Sequence, residues 1–537
     1  MRTLILAAIL MGCAEANAQY VFKGFDINST GGSYPRELTV MNGRLYFVAG
    51  NNNGVELFST DGVHPNFSLV SDIKPGSGSS NPANINVLNG NKLIFTAEGD
   101  IANSTELWQS DGTAAGTGMI KDIYAGSVAS TPSGLKVYNG KVYFSAFGSN
   151  GAFMELWATD GTNVGTQMVK DINATGGSYP EAFCEYNGKL YFNATTDLEG
   201  LELWVTDGSD TGTKLVKDIQ AGNMGSFPSN KIVVGNKMLF QIAAMPPAGS
   251  AVYETDGTAA GTKPFGKAGL NKYNNKFIIN WNNKTYFDGG ALDYGELWSS
   301  DGTATGTALI APIGMAGYPV VYKNKLYFAA TSVAGGTELW ASDGTTTGTV
   351  LVKDIAIGTS SSNPSNLIVY KDKLFFIAEN APADTQLFVS DGTDTGTHVM
   401  INPSGGNPNA FSSSAFNGFI QMNNVLYFAA NYNGSGAELW SLEDTSKPVG
   451  ITTVANTQII ELYPNPAKAV CNVVIDNAAY QKGSIQLCDM KGSVLQQQQL
   501  SAGQKYATIQ LANIATGVYT IRVDVDGNIV NRKLVVQ

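Results

Sequence analysis

The sequence predicts an all-β protein: a large β-propeller of nine four-stranded blades, with an N-terminal strand closing the last blade, followed by a small immunoglobulin-like β-sandwich. Three observations predict it. Asp-Gly recurs at 61, 111, 160, 207, 256, 301, 343 and 391, at intervals of 42 to 50 residues. Each period holds four short strand signals separated by turn residues, which is the pattern of a propeller blade. The repeat then stops after 442, and a polar stretch leads into a region of different motif. With 537 residues, 43% hydrophobic and only 14% charged, the chain has ample material for a packed core. The expected divisions are a signal peptide at 1–18, the propeller at 19–442, a linker at 443–458 and the sandwich at 459–537.

Met1-Arg2-Thr3 is a short cationic start, Leu4 to Met11 an apolar run, and Ala16-Asn17-Ala18 a small-x-small site before Gln19. Together they read as a secretory signal cleaved between Ala18 and Gln19. The competing reading is a lipoprotein acylated at Cys13. No stretch approaches the roughly 20 apolar residues of a membrane-spanning helix. Cleavage leaves Cys184, Cys471 and Cys488, an odd number that argues against a disulfide framework in an exported protein. Alternation places Cys471 in phase with Val473 and Ile475, and Cys488 out of phase with Ile485 and Leu487, so the two are expected on opposite faces.

The unit from Pro180 to Ile219 illustrates a blade. Ala182 to Tyr186 forms a strand, Asn187-Gly188 a tight hairpin turn, and Lys189 to Ala194 a second strand carrying Leu190-Tyr191-Phe192. Leu201 to Thr206, with Glu202-Leu203-Trp204, makes the third. Lys214 to Ile219 makes the fourth. The second-strand signature occurs nine times, whereas the Asp-Gly turn after the third strand occurs eight times, and the last unit lacks a fourth strand. Tyr20 to Ile27 supplies it, because Tyr20 to Pro35 matches Met168 to Pro180 closely.

Trp108, Trp157, Trp204, Trp298, Trp340 and Trp440 share one position of the third strand. A ring repeated there fills the wedge between blades rather than forming a cofactor box. From Asp111 onward each turn reads Asp-Gly-(Thr/Ser)-x-x-Gly-Thr. Its residues suit a self-satisfied turn, and the Asp-x-Asp-x-Asp spacing of calcium loops is absent, so neither a metal nor a cofactor is expected.

These repeats resemble the ELWxxDGT repeat family of exported bacterial proteins, and the turn between third and fourth strands resembles the Asp-box of sialidase-type propellers. The first resemblance implies an exported propeller and no established chemistry. Sialidase chemistry uses three Arg on the substrate carboxylate, but the propeller holds only Arg36 and Arg44. In the C-terminal region, Leu462-Tyr463-Pro464-Asn465-Pro466-Ala467, the strand and turn ending at Gly492, and Gly517-Val518-Tyr519 resemble the type A C-terminal sorting domain of the type IX secretion system. The sorting residues carried over are Pro464, Asn465, Pro466, Gly492, Gly517 and Tyr519. Cys488 departs from the aromatic residue common at its place. The resemblance implies engagement of that machinery, transit of the outer membrane, and release or attachment at the cell surface.

With 33 Lys+Arg against 44 Asp+Glu, a formal charge of -11, the chain lacks the cationic surface that a nucleic-acid backbone requires. Its two histidines, His64 and His398, fall near peripheral turns of separate units and cannot converge on a metal or a nucleophile. The loops joining the fourth strand to the next first strand, and the second to the third, crowd one end of the central channel and are the functional candidates. The former are Gly/Ser/Asn-rich and repetitive, whereas the latter vary from blade to blade as a recognition face would. The variable loops offer Asn52, Asp100, Asp197, Glu199, Asp288, Asp293, Tyr294 and Tyr432, with no catalytic residue designated. The expectation is a monomeric, non-enzymatic binding or adhesion protein with a polysaccharide or glycoprotein ligand. One alternative is a glycoside hydrolase or lyase using Asp197 with Glu199, or Asp288 with Asp293. Another is a structural component of a surface assembly.

Overall fold

The computed structural model describes residues 20–99, 105–126, 128–148, 153–243, 250–270, 272–290, 295–317, 319–332, 335–381, 384–400, 409–411, 418–445, 459–463, 465–476, 481–489, 493–526 and 528–537. The chain divides into two compact units, Met1–Thr445 and Ser446–Gln537.

Among the described residues the first unit forms a propeller of nine blades, each an antiparallel sheet. Blade 4 is representative, with strands Glu181–Tyr186, Lys189–Thr196, Gly200–Thr206 and Lys214–Lys217 in sequential order. Its first hairpin turns at Asn187 and Gly188, both left-handed (φ 52° and 66°), as a two-residue turn matched to strand twist requires. Blade 7 departs from the pattern: its first strand is split into Gly314–Met315 and Val320–Tyr322.

The last blade is composite. Tyr20–Phe25 pairs antiparallel with Glu438–Asp444, placing Tyr20 opposite Asp444 and Phe25 opposite Leu439. The N-terminal strand thereby covers the edge that the final repeat leaves open. His64, in the first Asp-Gly turn, adds a tie: its Nε2 lies 2.8 Å from the carbonyl of Gly24.

The core lies between blades. Phe47, Phe95, Phe144, Phe192, Phe240, Phe287, Phe328, Phe376 and Phe428 occupy one position of the nine second strands, and all are fully buried. Trp204 of blade 4 packs with Tyr138, Tyr143 and Leu156 of blade 3, and Trp157 with Ile94 and Leu107 of blade 2. The tryptophans thus fill inter-blade wedges, as their spacing predicts.

The second unit packs a three-stranded sheet, order Ile459–Tyr463, Val470–Asp476, Tyr506–Gln510, against a four-stranded sheet. The latter runs Val494–Leu500, Gly483–Cys488, Gly517–Val525, Asn528–Val536. Cys471, Val473 and Ile475 face Ile485, Leu487, Ile521 and Val523 in its core. Cys184, Cys471 and Cys488 are all free thiols.

Candidate binding face

The Asp-Gly turns are closed units. In blade 3, Asp160 accepts hydrogen bonds from the Thr162 amide (2.9 Å) and hydroxyl (2.7 Å), and the Gly165 amide donates to Thr162 Oγ1 at 2.9 Å. The Thr162 hydroxyl holds the Asp160 carboxyl below its ordinary value. The same bonds recur at Asp207, Asp256, Asp301, Asp343 and Asp391. These carboxylates are occupied by their own turns. Among the described residues, no group of three or more His, Cys, Asp or Glu could hold a metal ion.

The opposite face is built on a feature the sequence reading passed over. The glutamate opening the third strand is buried in six blades: Glu56, Glu106, Glu155, Glu202, Glu338 and Glu438. Each reaches the loop that leaves its blade for the next. Glu155 accepts from the Ile172 amide at 2.8 Å, the Ser178 amide at 3.0 Å and the Ser178 hydroxyl at 2.5 Å. Glu438 does the same across the chain ends, with the Ile27 amide at 3.1 Å, the Ser33 amide at 3.0 Å and the Ser33 hydroxyl at 2.6 Å. Burial pushes the carboxyls of Glu56, Glu106, Glu155, Glu202 and Glu438 up, and Glu202 reaches about 7 despite the hydrogen bonds that lower it. The available signal was a charged residue repeated at a fixed place in an apolar strand, with Ser-x-Pro following 23 or 24 residues later within the chain.

These bonds fix the loop backbone. The serine carbonyl accepts an amide from the end of the second strand, as in Thr195 to Ser178 at 2.8 Å. The amide of the next residue donates to the start of the third strand, as in Tyr179 to Met154 at 3.1 Å. That next residue is left-handed in every case: Tyr34, Asn81, Thr131, Tyr179, Phe227 and Asn363, with φ between 43° and 51°. Each side chain is exposed on the face that also carries the loops between second and third strands. Asn accepts this conformation readily, whereas for the aromatic residues and Thr131 it costs about 1 kcal/mol each.

The predicted loop residues divide. Asn52 is exposed in the turn after Arg44–Asn51. Asp197 is exposed and accepts from Thr175 and, at 3.4 Å, from Asn173; the Thr175 hydroxyl holds its carboxyl below the ordinary range. Glu199 instead accepts from the Thr196 hydroxyl. The two carboxylates therefore bond to different partners.

Two expectations are corrected. Tyr432 is not an exposed binding residue: only 2% of it is accessible, and its ring packs edge-on against Trp440 (4.9 Å), Phe411 (5.6 Å) and Phe22 (5.9 Å). Burial raises its hydroxyl far above the usual tyrosine value. Asp288 is not a solvated loop acid. It accepts from the Met315 amide at 3.1 Å, and burial pushes its carboxyl up to about 7. Asp100, Asp293, Tyr294, Ala18, Gln19, Pro464 and Gly492 lie outside the described residues.

In the second unit, Asn465 staples the domain opening to the last strand. Its Nδ2 donates to the Lys533 carbonyl at 2.7 Å and its Oδ1 accepts from the Val535 amide at 2.9 Å. The next peptide, Asn465-Pro466, is cis. Gly517 opens its strand opposite Val536, and the Tyr519 hydroxyl donates to the Ala515 carbonyl at 2.7 Å.

A propeller joined to a small β-sandwich is the class of molecule these elements define. Residues 461–537 match the secretion system C-terminal sorting domain family, which marks the chain as an exported substrate of type IX secretion. No curated protein sequence matches the chain. Solved structures similar to it include a prolyl endopeptidase at 14% identity and TM-score 0.37, covering 65% of this chain and 54% of that one. Another is a Mycobacterium tuberculosis puromycin-hydrolyzing peptidase at 11% and 0.36, covering 68% and 61%. A third is a Pyrococcus horikoshii acylaminoacyl peptidase at 10% and 0.31, covering 66% and 59%. The chain thus spans little more than half the length of these proteins. The expectation of a non-enzyme is corrected on this finding, since the structures it resembles are hydrolases; a likeness this slight carries no argument for a particular activity. Among the described residues no helix is long and apolar enough to cross a membrane.

Proposed function

We propose that the propeller works outside the cell as a recognition module, an adhesion or binding protein that engages a glycan or protein through the face bearing the inter-blade loops. One observation carries this reading. The buried glutamate and its serine hold the same loop backbone in six blades, while the residue displayed changes from Tyr34 to Asn81, Thr131, Tyr179, Phe227 and Asn363. A fixed frame with a variable display is how a scaffold presents contacts without loop-ordering cost at binding. The resemblance of the repeats to the ELWxxDGT family of exported proteins, the signal peptide read at 1–18 and a surface location after sorting accord with it.

The test is saturable binding of the full-length exported protein to a panel of polysaccharides and matrix glycoproteins, with hydrolysis followed in the same wells. Saturable binding that competes with loop substitutions supports the reading. Product release would add a hydrolytic role to binding and direct attention to Asp288, whose carboxyl burial pushes up to about 7.

A further inference from the structure

Blade 4 carries a surface that the repeat frame alone does not explain. Its loop between second and third strands, 196–200, lies between the two loops that enter blades 4 and 5. On one side Asp197 accepts hydrogen bonds from Thr175 and Asn173. On the other, the backbones of Gly200 and Gly225 are in direct contact: a Cβ on Gly200, itself at φ 68°, would lie 2.4 Å from the Gly225 nitrogen. Three touching loops therefore present Tyr179, Leu198, Met224 and Phe227 together, at 51%, 77%, 53% and 46% exposure. The Tyr179 ring rests on Gly177, where an added Cβ would meet it at 2.7 Å.

Two features distinguish this patch from incidental apolar exposure. Tyr179 and Phe227 hold φ of 48° and 51° at the frame position where the better-suited Asn81 and Asn363 stand in other blades. Large aromatic rings are kept where the backbone disfavours them, as happens at sites selected for contact rather than for stability. Exposed Glu181 and Asp197 flank the patch, in a chain of net charge -11. An apolar centre rich in aromatic residues and methionine with a charged rim is the anatomy of a protein interface.

We propose that the blade 4 face docks a polypeptide segment that presents apolar side chains flanked by Lys or Arg. The inference rests on the recognition reading above and names its partner class. An acidic partner is disfavoured by Glu181 and Asp197, and a neutral glycan would leave Leu198 and Met224 unused.

The experiment selects a phage-displayed random dodecapeptide library on the full-length protein, then measures synthetic versions of the enriched peptides against wild type and Tyr179→Asn/Phe227→Asn. Asn is chosen because Asn81 and Asn363 already occupy the equivalent positions. The expected result is enrichment of peptides combining apolar with basic residues and an affinity loss of about tenfold or more in the double variant, with no fall in thermal stability. A Leu198→Ser variant, changed at an exposed loop tip, should lose affinity as well. If enriched peptides bind the variants as tightly as wild type, the blade 4 assignment is overturned while recognition elsewhere on the propeller stands. A fall in stability without loss of affinity would make the rings structural and also overturn it. Loss of polysaccharide binding in the double variant, with no peptide enriched, would give the face to a glycan instead. Wild type binding neither peptides nor the panel would remove the recognition reading itself.

Discussion

Blades 4 and 6 hold their outgoing loops with carboxylates from different strands. In blade 4 the third-strand Glu202 accepts from the Gln220 amide at 3.1 Å and the Ser226 hydroxyl at 2.5 Å. In blade 6 the equivalent Glu296 turns toward Trp298, with 3.4 Å between Oε2 and Nε1, and Asp288 on the second strand accepts from the Met315 amide instead. Both Glu202 and Asp288 are pushed up to about 7, with burial the leading cause. What the ring requires is a buried acceptor at this point, and the residue that supplies it is negotiable.

Removing the acceptor should have the largest effect. Glu202→Ala leaves the Ser226 hydroxyl and the Gln220 amide without their partner inside the protein, which should cost about 3 kcal/mol. Urea unfolding would read it as a lowered midpoint. Asp288→Ala, which releases the loop into blade 7, should cost about 2 kcal/mol by the same measurement. A negligible effect at Asp288 beside a large one at Glu202 would break the equivalence of the two carboxylates.

A second contrast concerns glycines with the same backbone sign and different surroundings. Gly208 follows Asp207 at φ 96°, and a Cβ there would lie 2.4 Å from the hydroxyl of buried Tyr143. Gly188 in the hairpin has φ 66° and nothing within 4 Å. Gly208→Ala should therefore cost about 2 kcal/mol or more and Gly188→Ala about 1 kcal/mol. Tyr143→Phe should recover part of the first loss and none of the second.

The buried carboxyls also set a pH dependence. A group whose folded pKa exceeds its unfolded value adds stability that is fully present below the unfolded pKa and lost as pH rises through the folded one. For Glu202 and Asp288 that window runs from their ordinary values of 4.5 and 3.8 up to about 7. The Asp-Gly turn carboxylates, such as Asp160, act in the other sense: lowered from 3.8, they contribute above that value and lose the contribution as pH falls further. Denaturant midpoints should fall between pH 5 and pH 8, and Glu202→Gln with Asp288→Asn should flatten that slope. An unchanged slope would mean that other groups dominate.

What was legible in the sequence was local. The Asp-Gly turns, the Asn-Gly hairpins and the repeated Leu-Tyr-Phe strands encode their structure within a few residues, and counting second strands sufficed for nine blades and for closure by Tyr20–Phe25. Burial imposed from a distance was not legible. Tyr432 looks like a loop tyrosine until Phe411 and Phe22, remote in sequence, enclose it. Glu202 looks like one more surface acid until the loop ending at Ser226 folds over it. The candidate face was readable as two sets of loops, but the display position fixed within the fourth-to-first set was not, because it depends on a buried glutamate 23 or 24 residues away.

The smallest expected effect tests that display position directly, through blades 2 and 3. Asn81 and Thr131 sit at the same point with φ of 46° and 43°, and each amide donates to the start of a third strand at 3.2 Å. Both side chains are exposed. The difference between them is therefore intrinsic: Asn tolerates the left-handed region, whereas the β-branched Thr does not. Thr131→Asn should raise stability by roughly 0.5 to 1 kcal/mol, and Asn81→Thr should lower it by a similar amount. Equal and opposite shifts in the urea midpoint would show that the frame imposes the conformation and tolerates a disfavoured residue within it. A loss of stability in Thr131→Asn would instead mean that the threonine makes a contact the frame depends on.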